Sequence, residues 1–226
     1  MSAHPGLFLS LEGGEGAGKT TQRALLGQWL ESLGHEVVLT REPGGTALGH
    51  TLRQALLHGE DIDARTEALL YAADRAHHVA SLVLPALRRG AVVITDRYLD
   101  SSVAYQGAAR SLGPQEIRDL SLWATDGLLP ELTVLLDIDP AVGAARRSED
   151  PDRLEREPDA FHLAVREQFL ALARAEAGRF VVVDAAASPE AVHEQIRARV
   201  EPLLPERRRP RNPCAVPARR ALQEPS

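Results

Sequence analysis

The 226-residue sequence contains one cysteine, Cys214, so no disulfide can close within the chain. It has no long apolar run: VLLDI, FVVVD and AVVIT fall far short of the ~20 residues that cross a bilayer. No basic region precedes the first apolar stretch, so a secretory signal is not expected and cytoplasm is the expected compartment. Asparagine occurs once, at Asn212, which excludes an Asn-Lys-x-Asp base-reading motif. Lysine also occurs once, at Lys19, although lysine and arginine together number 26. Any chemistry that requires a lysine therefore has a single candidate.

Charge is unevenly spread. Residues 205–226 carry six arginines and two glutamates, so the net charge of −6 divides into a +4 tail and a −10 body. A body this acidic argues against general nucleic-acid binding. The tail holds five prolines and few apolar residues, and reads as a basic, disordered end. Residues 1–204 have the length and the apolar content for one domain with a sizeable core.

Short Val/Leu/Ile-rich runs at Leu7–Glu12, Glu36–Thr40, Ala91–Thr95, Leu132–Ile138 and Phe180–Asp184 alternate with longer helical patterns. These predict helices over Lys19–Leu33, Thr46–His58, Arg65–Arg89 with a bend at Pro85, Pro114–Thr125, Pro140–Arg147, Asp159–Gly178 and Pro189–Leu203. Continuous apolar strands separated by helices predict an α/β fold. The expected form is a five-stranded parallel sheet with helices on both faces and ligands at the carboxyl ends of the strands.

Gly13, Gly14, Glu15, Gly16, Ala17, Gly18, Lys19 and Thr20 fit G-x-x-x-x-G-K-[ST], between an apolar strand and a helix. Such a loop aims backbone N–H groups at phosphate oxygens, with the helix N-terminus adding positive potential. Lys19 then supplies a point charge for the β- and γ-phosphates and Thr20 a hydroxyl for Mg²⁺. Thr21 follows at the same helix start. Asp96 ends the third strand, suited to Mg²⁺, with Arg97 beside it; Asp137 and Asp139 compete for that role, though Asp139 before Pro140 also suits a helix cap. Arg41, Arg97, Arg146, Arg147 and Arg153 fall at loops and strand ends, where a guanidinium can grip phosphate. These residues alone allow several kinds of small P-loop kinase, or a P-loop ATPase that switches between partners.

The segments LEGGEGAGKTTQ (11–22), TREPGGT (40–46), LLYAADRAHH (69–78), TDRYLDSSVAYQG (95–107) and DRLE (152–155) resemble the thymidylate kinases, a family of P-loop nucleoside-monophosphate kinases. The resemblance implies phosphorylation of dTMP to dTDP by ATP and Mg²⁺, in a homodimer. It implies dTMP contacts from Glu15, Arg41, Arg97, Ser102, Tyr105 and Gln106. Glu15 would lie near the sugar 3′-hydroxyl, and Tyr105 would favour a 2′-deoxy sugar. It implies that Tyr71, where relatives usually carry Phe, stacks on thymine and that Arg75 hydrogen-bonds it. Residues 71 and 75 are one helical turn apart, so both can face one ligand. The phosphate loop lacks the internal arginine of some relatives, so catalytic cations are expected in a short mobile lid at about 146–158, with Arg153 foremost. His77 and His78 have no partners at metal-ligand spacing and read as buried or interfacial side chains.

Overall fold

The computed structural model describes residues 4–146 and 152–205. The strands are β1 (Leu7–Glu12), β2 (Val37–Arg41), β3 (Val92–Asp96), β4 (Leu132–Asp137) and β5 (Phe180–Asp184). All neighbours are parallel, in the order β2-β3-β1-β4-β5. The helices are α1 (Lys19–Ser32), α2 (Ala47–His58), α3 (Ala64–His78), α4 (Leu84–Arg89), α5 (Leu99–Ser102), α6 (Pro114–Ala124), α7 (Pro140–Ala144), α8 (Asp159–Ala175) and α9 (Pro189–Val200).

β1 is the central strand and is buried on both faces. Its side chains alternate between two separate cores. Phe8 points into one shared with α2 to α6 and α8; Leu7, Leu9 and Leu11 point into another shared with α1 and α9. The predicted α/β architecture with helices on both faces is the one observed. The register sets Leu11 opposite Asp96, and Asp96 opposite Arg41, so the carboxyl ends of β1, β3 and β2 form one rim.

Two stretches depart from the sequence reading. Residues 64–89 are helical throughout, but the bend expected at Pro85 is a π-helical widening over Val79–Val83, where the Leu84 N–H reaches the Val79 carbonyl. A proline crowds the carbonyl four residues earlier, and the wider turn makes room for it. Residues 99–109 form α5 and a second π-helical run, Val103–Ala109. No amphipathic period marks them, because Leu99 to Gly107 are buried on every side.

Charge is also buried under the sheet's rim. Asp100 accepts both forks of Arg179, at 2.7 and 2.9 Å. Nearby, Glu12 accepts the Tyr98 N–H at 2.8 Å and the Ser101 hydroxyl at 2.6 Å. Burial and the neighbouring Asp100 charge push the Glu12 carboxyl up from 4.5 to about 8, against the pull of Ser101 and Arg97. Between those two values the native state holds a proton that the unfolded chain releases, so stability falls as pH rises across the window. Glu12→Gln is expected to flatten this slope in denaturant unfolding at pH 5, 6.5 and 8. An unaltered slope would place its origin elsewhere.

Candidate active site

The loop from Gly13 to Gly18 leaves β1 at the middle of the rim and runs straight into α1. Gly16 has φ +71°, and a Cβ there would collide with the Gly143 carbonyl on α7. Glycine is thus required both for the turn and for the close approach of α7. Lys19 is buried, and its Nζ donates across the loop to the carbonyls of Gly13 (3.0 Å) and Gly14 (2.8 Å). Burial and the nearby Arg97 charge depress its pKa. The Thr20 hydroxyl donates to Asp96 Oδ2 at 3.2 Å. The competing carboxylates are otherwise engaged: Asp137 takes both forks of Arg166, and Asp139 caps α7 through the Ala141 N–H.

Arg97 adopts φ +70°, which turns its side chain back over the loop. Its guanidinium donates to the Gly13 carbonyl (3.1 Å), Ser101 Oγ (3.0 Å), the Tyr105 hydroxyl (3.1 Å) and Glu15 Oε1. The Tyr105 hydroxyl in turn donates to Glu15 at 2.9 Å. Burial alone would raise the Glu15 carboxyl, but Arg97, Lys19 and Tyr105 outweigh it and hold it at about 2. Glu15 is therefore ionised at every physiological pH.

Two clefts meet at this knot. One is lined by Gly16 to Thr21, Arg41, Asp96 and Arg97. The other is lined by Pro43, Leu57, Tyr71, Arg75, Ser102, Tyr105, Gln106 and Leu154 among others. Glu15, Glu42, Arg53 and Arg97 border both clefts. Ser102 Oγ accepts from Arg75 at 2.9 Å, and the Gln106 amide donates to Glu67 at 2.8 Å. His78 is buried, as read from the sequence, whereas His77 is exposed.

The structure does not bring Arg153 to the phosphate loop. It is buried against α2 and α3, its Nε donating to the Leu56 carbonyl at 2.9 Å and its Nη2 to Glu67 at 2.6 Å. Its guanidinium is committed to a carboxylate and a carbonyl within the protein, away from the position expected of a catalytic cation. Arg146 is exposed at the end of α7 and donates to the Ala185 carbonyl at 3.0 Å. Arg147 and the basic tail from 206 lie outside the described residues.

Sequence reasoning missed Arg53, Glu42 and His162. Arg53 donates to the Pro43 carbonyl at 3.1 Å, and burial and the adjacent Arg41 depress its pKa. Its only sequence signal is its place two turns into the helix that follows TREPGGT. His162 lies in a tight recess with Glu15, Tyr105 and Phe169, its Nε2 buried without a partner among the described residues. No local pattern marks it.

A sequence model described as thymidylate kinase matches residues 11–196. The chain is 60% identical over 203 residues to a thymidylate kinase of Clavibacter sepedonicus, covering 88% of this chain and 96% of that one. It is 56% identical over 203 residues to one from Bifidobacterium longum, covering 88% and 98%. The crystal structure of a thymidylate kinase from Ehrlichia chaffeensis is similar with a TM-score of 0.73 and 30% identity, over 86% of this chain and 98% of that one. With the phosphate loop bordering a cleft lined by Tyr71 and Arg75, these similarities lead to one conclusion: the chain belongs to the thymidylate kinase family, enzymes that phosphorylate dTMP to dTDP.

Proposed function

We propose that this dTMP kinase takes its phosphoryl group from ATP, accompanied by Mg²⁺, and that the two clefts hold donor and acceptor. The observation that carries the reading is the shared border: Arg53 and Arg97 line both clefts, so a phosphate held by them would touch both at once. Gly13 to Thr21 cradle the donor phosphates, and Lys19 stabilises charge on the group in flight. Arg41, Arg53 and Arg97 hold the dTMP phosphate so that its oxygen attacks in line. That oxygen is already ionised, so no general base is needed. Glu15 and Tyr105 face the sugar, Ser102 and Gln106 line the nucleoside cleft, and Tyr71 and Arg75 meet the base.

The Thr20 hydroxyl and the Asp96 carboxylate are hard oxygen donors beside the loop. Among the described residues no cluster of three or more His, Cys, Asp or Glu could hold a metal. That pair fits Mg²⁺, which keeps waters and phosphate oxygens and needs few protein ligands. When bound, Mg²⁺ supplies charge neutralisation on the phosphates.

We place the enzyme in the cytoplasm; among the described residues no helix is long and apolar enough to cross a membrane. We propose a homodimer, supported by Leu69 and Trp123, exposed by 58% and 83% on the adjoining helices α3 and α6; sedimentation of Trp123→Arg as a monomer would agree, and a wild-type monomer would refute it. The domain is taken as residues 1–204, with 205–226 a separate basic tail.

Coupled ADP-release assays test the site. Lys19→Ala should keep the fold and lose ~10²-fold or more in kcat, the scale of one lost transition-state cation. Wild-type turnover would remove Lys19 from the mechanism.

The lid is tested by contrast. Arg153→Ala should lower the melting temperature, because it strips a buried partner from Glu67. Arg146→Ala should melt as wild type and lower kcat. The reverse pattern would restore Arg153 to catalysis.

Base recognition is tested with pyrimidine monophosphates. Cytosine puts an amino donor where thymine has the O4 acceptor, so an arginine donor there disfavours dCMP by about 1–3 kcal/mol. Arg75→Ala should shrink the dTMP/dCMP ratio of kcat/KM, whereas Tyr71→Ala should weaken both substrates together, by roughly 1–3 kcal/mol of lost stacking.

A further inference from the structure

Arg75 is 1% exposed, and its donors are nearly all consumed. Nη1 donates to Ser121 Oγ at 3.0 Å, Nη2 to Ser102 Oγ at 2.9 Å and to the Tyr98 carbonyl at 3.4 Å, and Nε to Glu42 Oε2 at 2.8 Å, which leaves one Nη1 hydrogen for a ligand. Serine hydroxyls swivel and will follow a guanidinium that turns. Glu42 is the one anionic partner of Arg75 among the described residues, so its carboxylate sets the plane. The other oxygen of that carboxylate, Oε1, lies 2.8 Å from His78 Nδ1, and His78 Nε2 lies 2.7 Å from Thr40 Oγ1. An ionised carboxylate can only accept, which puts a proton on Nδ1. In a neutral ring Nε2 then accepts from the Thr40 hydroxyl.

The relay is enclosed. Thr40, Glu42 and His78 are 5%, 3% and 0% exposed. The loop after Pro43 crosses directly over it: a Cβ on Gly45 would lie 2.5 Å from Thr40 Oγ1 and 2.6 Å from His78 Nε2. The end of β2, the glycine loop and the end of α3 are thereby tied to one imidazole.

We propose that His78 is a positioning residue for base selection, which through Glu42 locks the Arg75 guanidinium in the orientation that separates a carbonyl from an amino group on the pyrimidine. The proposal rests on the reading of Arg75 as the group that meets the base. A guanidinium held from behind cannot swing away from a cytosine amino group, so dCMP meets an unrelieved donor–donor clash. A loosened one can swing away, and must also be ordered again when thymine binds. Both effects narrow the same ratio.

The test is a pair of substitutions in the full-length enzyme, with kcat/KM measured for dTMP and dCMP. An asparagine amide falls near the place of Nδ1, and a glutamine amide near that of Nε2. His78→Asn keeps the donor to Glu42 and should hold the dTMP/dCMP ratio near wild type. His78→Gln keeps only the Thr40 contact and should lower the ratio about tenfold, mainly through a higher KM for dTMP. Equal shifts in both variants would mark His78 as merely structural and overturn the proposal. So would an unchanged ratio in His78→Gln beside a collapsed ratio in Arg75→Ala. An unchanged ratio in Arg75→Ala would sink the base-reading role itself, and this proposal with it. If His78→Gln does not fold, Glu42→Gln carries the test, since its amide must turn a donor toward Arg75 or His78. The ratio should then fall, and a wild-type ratio would overturn the relay.

Discussion

The ion pair between Arg97 and Glu15 is the constraint on which the site hangs. It ties the phosphate loop to the turn that follows β3, and the Tyr105 hydroxyl, bonded to both, draws in the π-helical run 103–109. Both side chains are mostly buried, so removing one would strand the other, at a cost of about 3–5 kcal/mol. The left-handed backbone at Arg97 adds strain of roughly 1–3 kcal/mol, tolerable only because the surrounding bonds determine its conformation. What that strain secures is aim: the guanidinium donates to the Gly13 carbonyl, where the two clefts meet.

The same region reconciles an acidic protein with polyanionic substrates. Lys19, Arg41, Arg53 and Arg97 border one cleft, against Glu15, Glu42 and Asp96. Burial works against the charged forms of Lys19 and Arg53, and neighbouring cations deepen the penalty. An anion placed between them would relieve both. Attraction here is a local property of a few half-dry groups, so the net charge of the body says little about it.

Much of this was readable from sequence for one reason: parallel strands buried on both faces are continuous apolar runs with abrupt ends. Leu7–Glu12 and Phe180–Asp184 stand as read, and the other three strands differ by a residue at one or both ends. Helix 99–109 was invisible because it has no solvent face to create a period. At the site, the glycine pattern and the short motifs pointed to Lys19, Arg41, Asp96 and Arg97, whose side chains do converge. Glu42 and Arg53 stand within and just after the TREPGGT segment with nothing in their own pattern to single them out, and His162 was not legible, since the packing of elements distant in sequence brings it in. Arg153 shows the opposite case. It falls within the segment 146–158 read as a lid, yet the chain folds its side chain back onto Glu67.

Arginine is too common here for any single one to stand out in the sequence, but donor accounting separates them in space. A guanidinium offers five N–H groups. Arg179 commits its forks and Nε to Asp100, Thr133 and Glu176, and Arg153 gives two donors to the Leu56 carbonyl and Glu67, so both act as braces. Arg41 has no hydrogen-bonded or ion-paired partner among the described residues, although it sits on the rim opposite Asp96, and Arg53 spends one donor on a carbonyl. A guanidinium kept beside a glycine-rich loop with its donors unspent is costly for the protein alone, and becomes favourable only with an anion between. Arg97 stands between the groups, braced by Glu15 and Tyr105 yet lining both clefts, which suits a cation that must hold one position while phosphates arrive and leave.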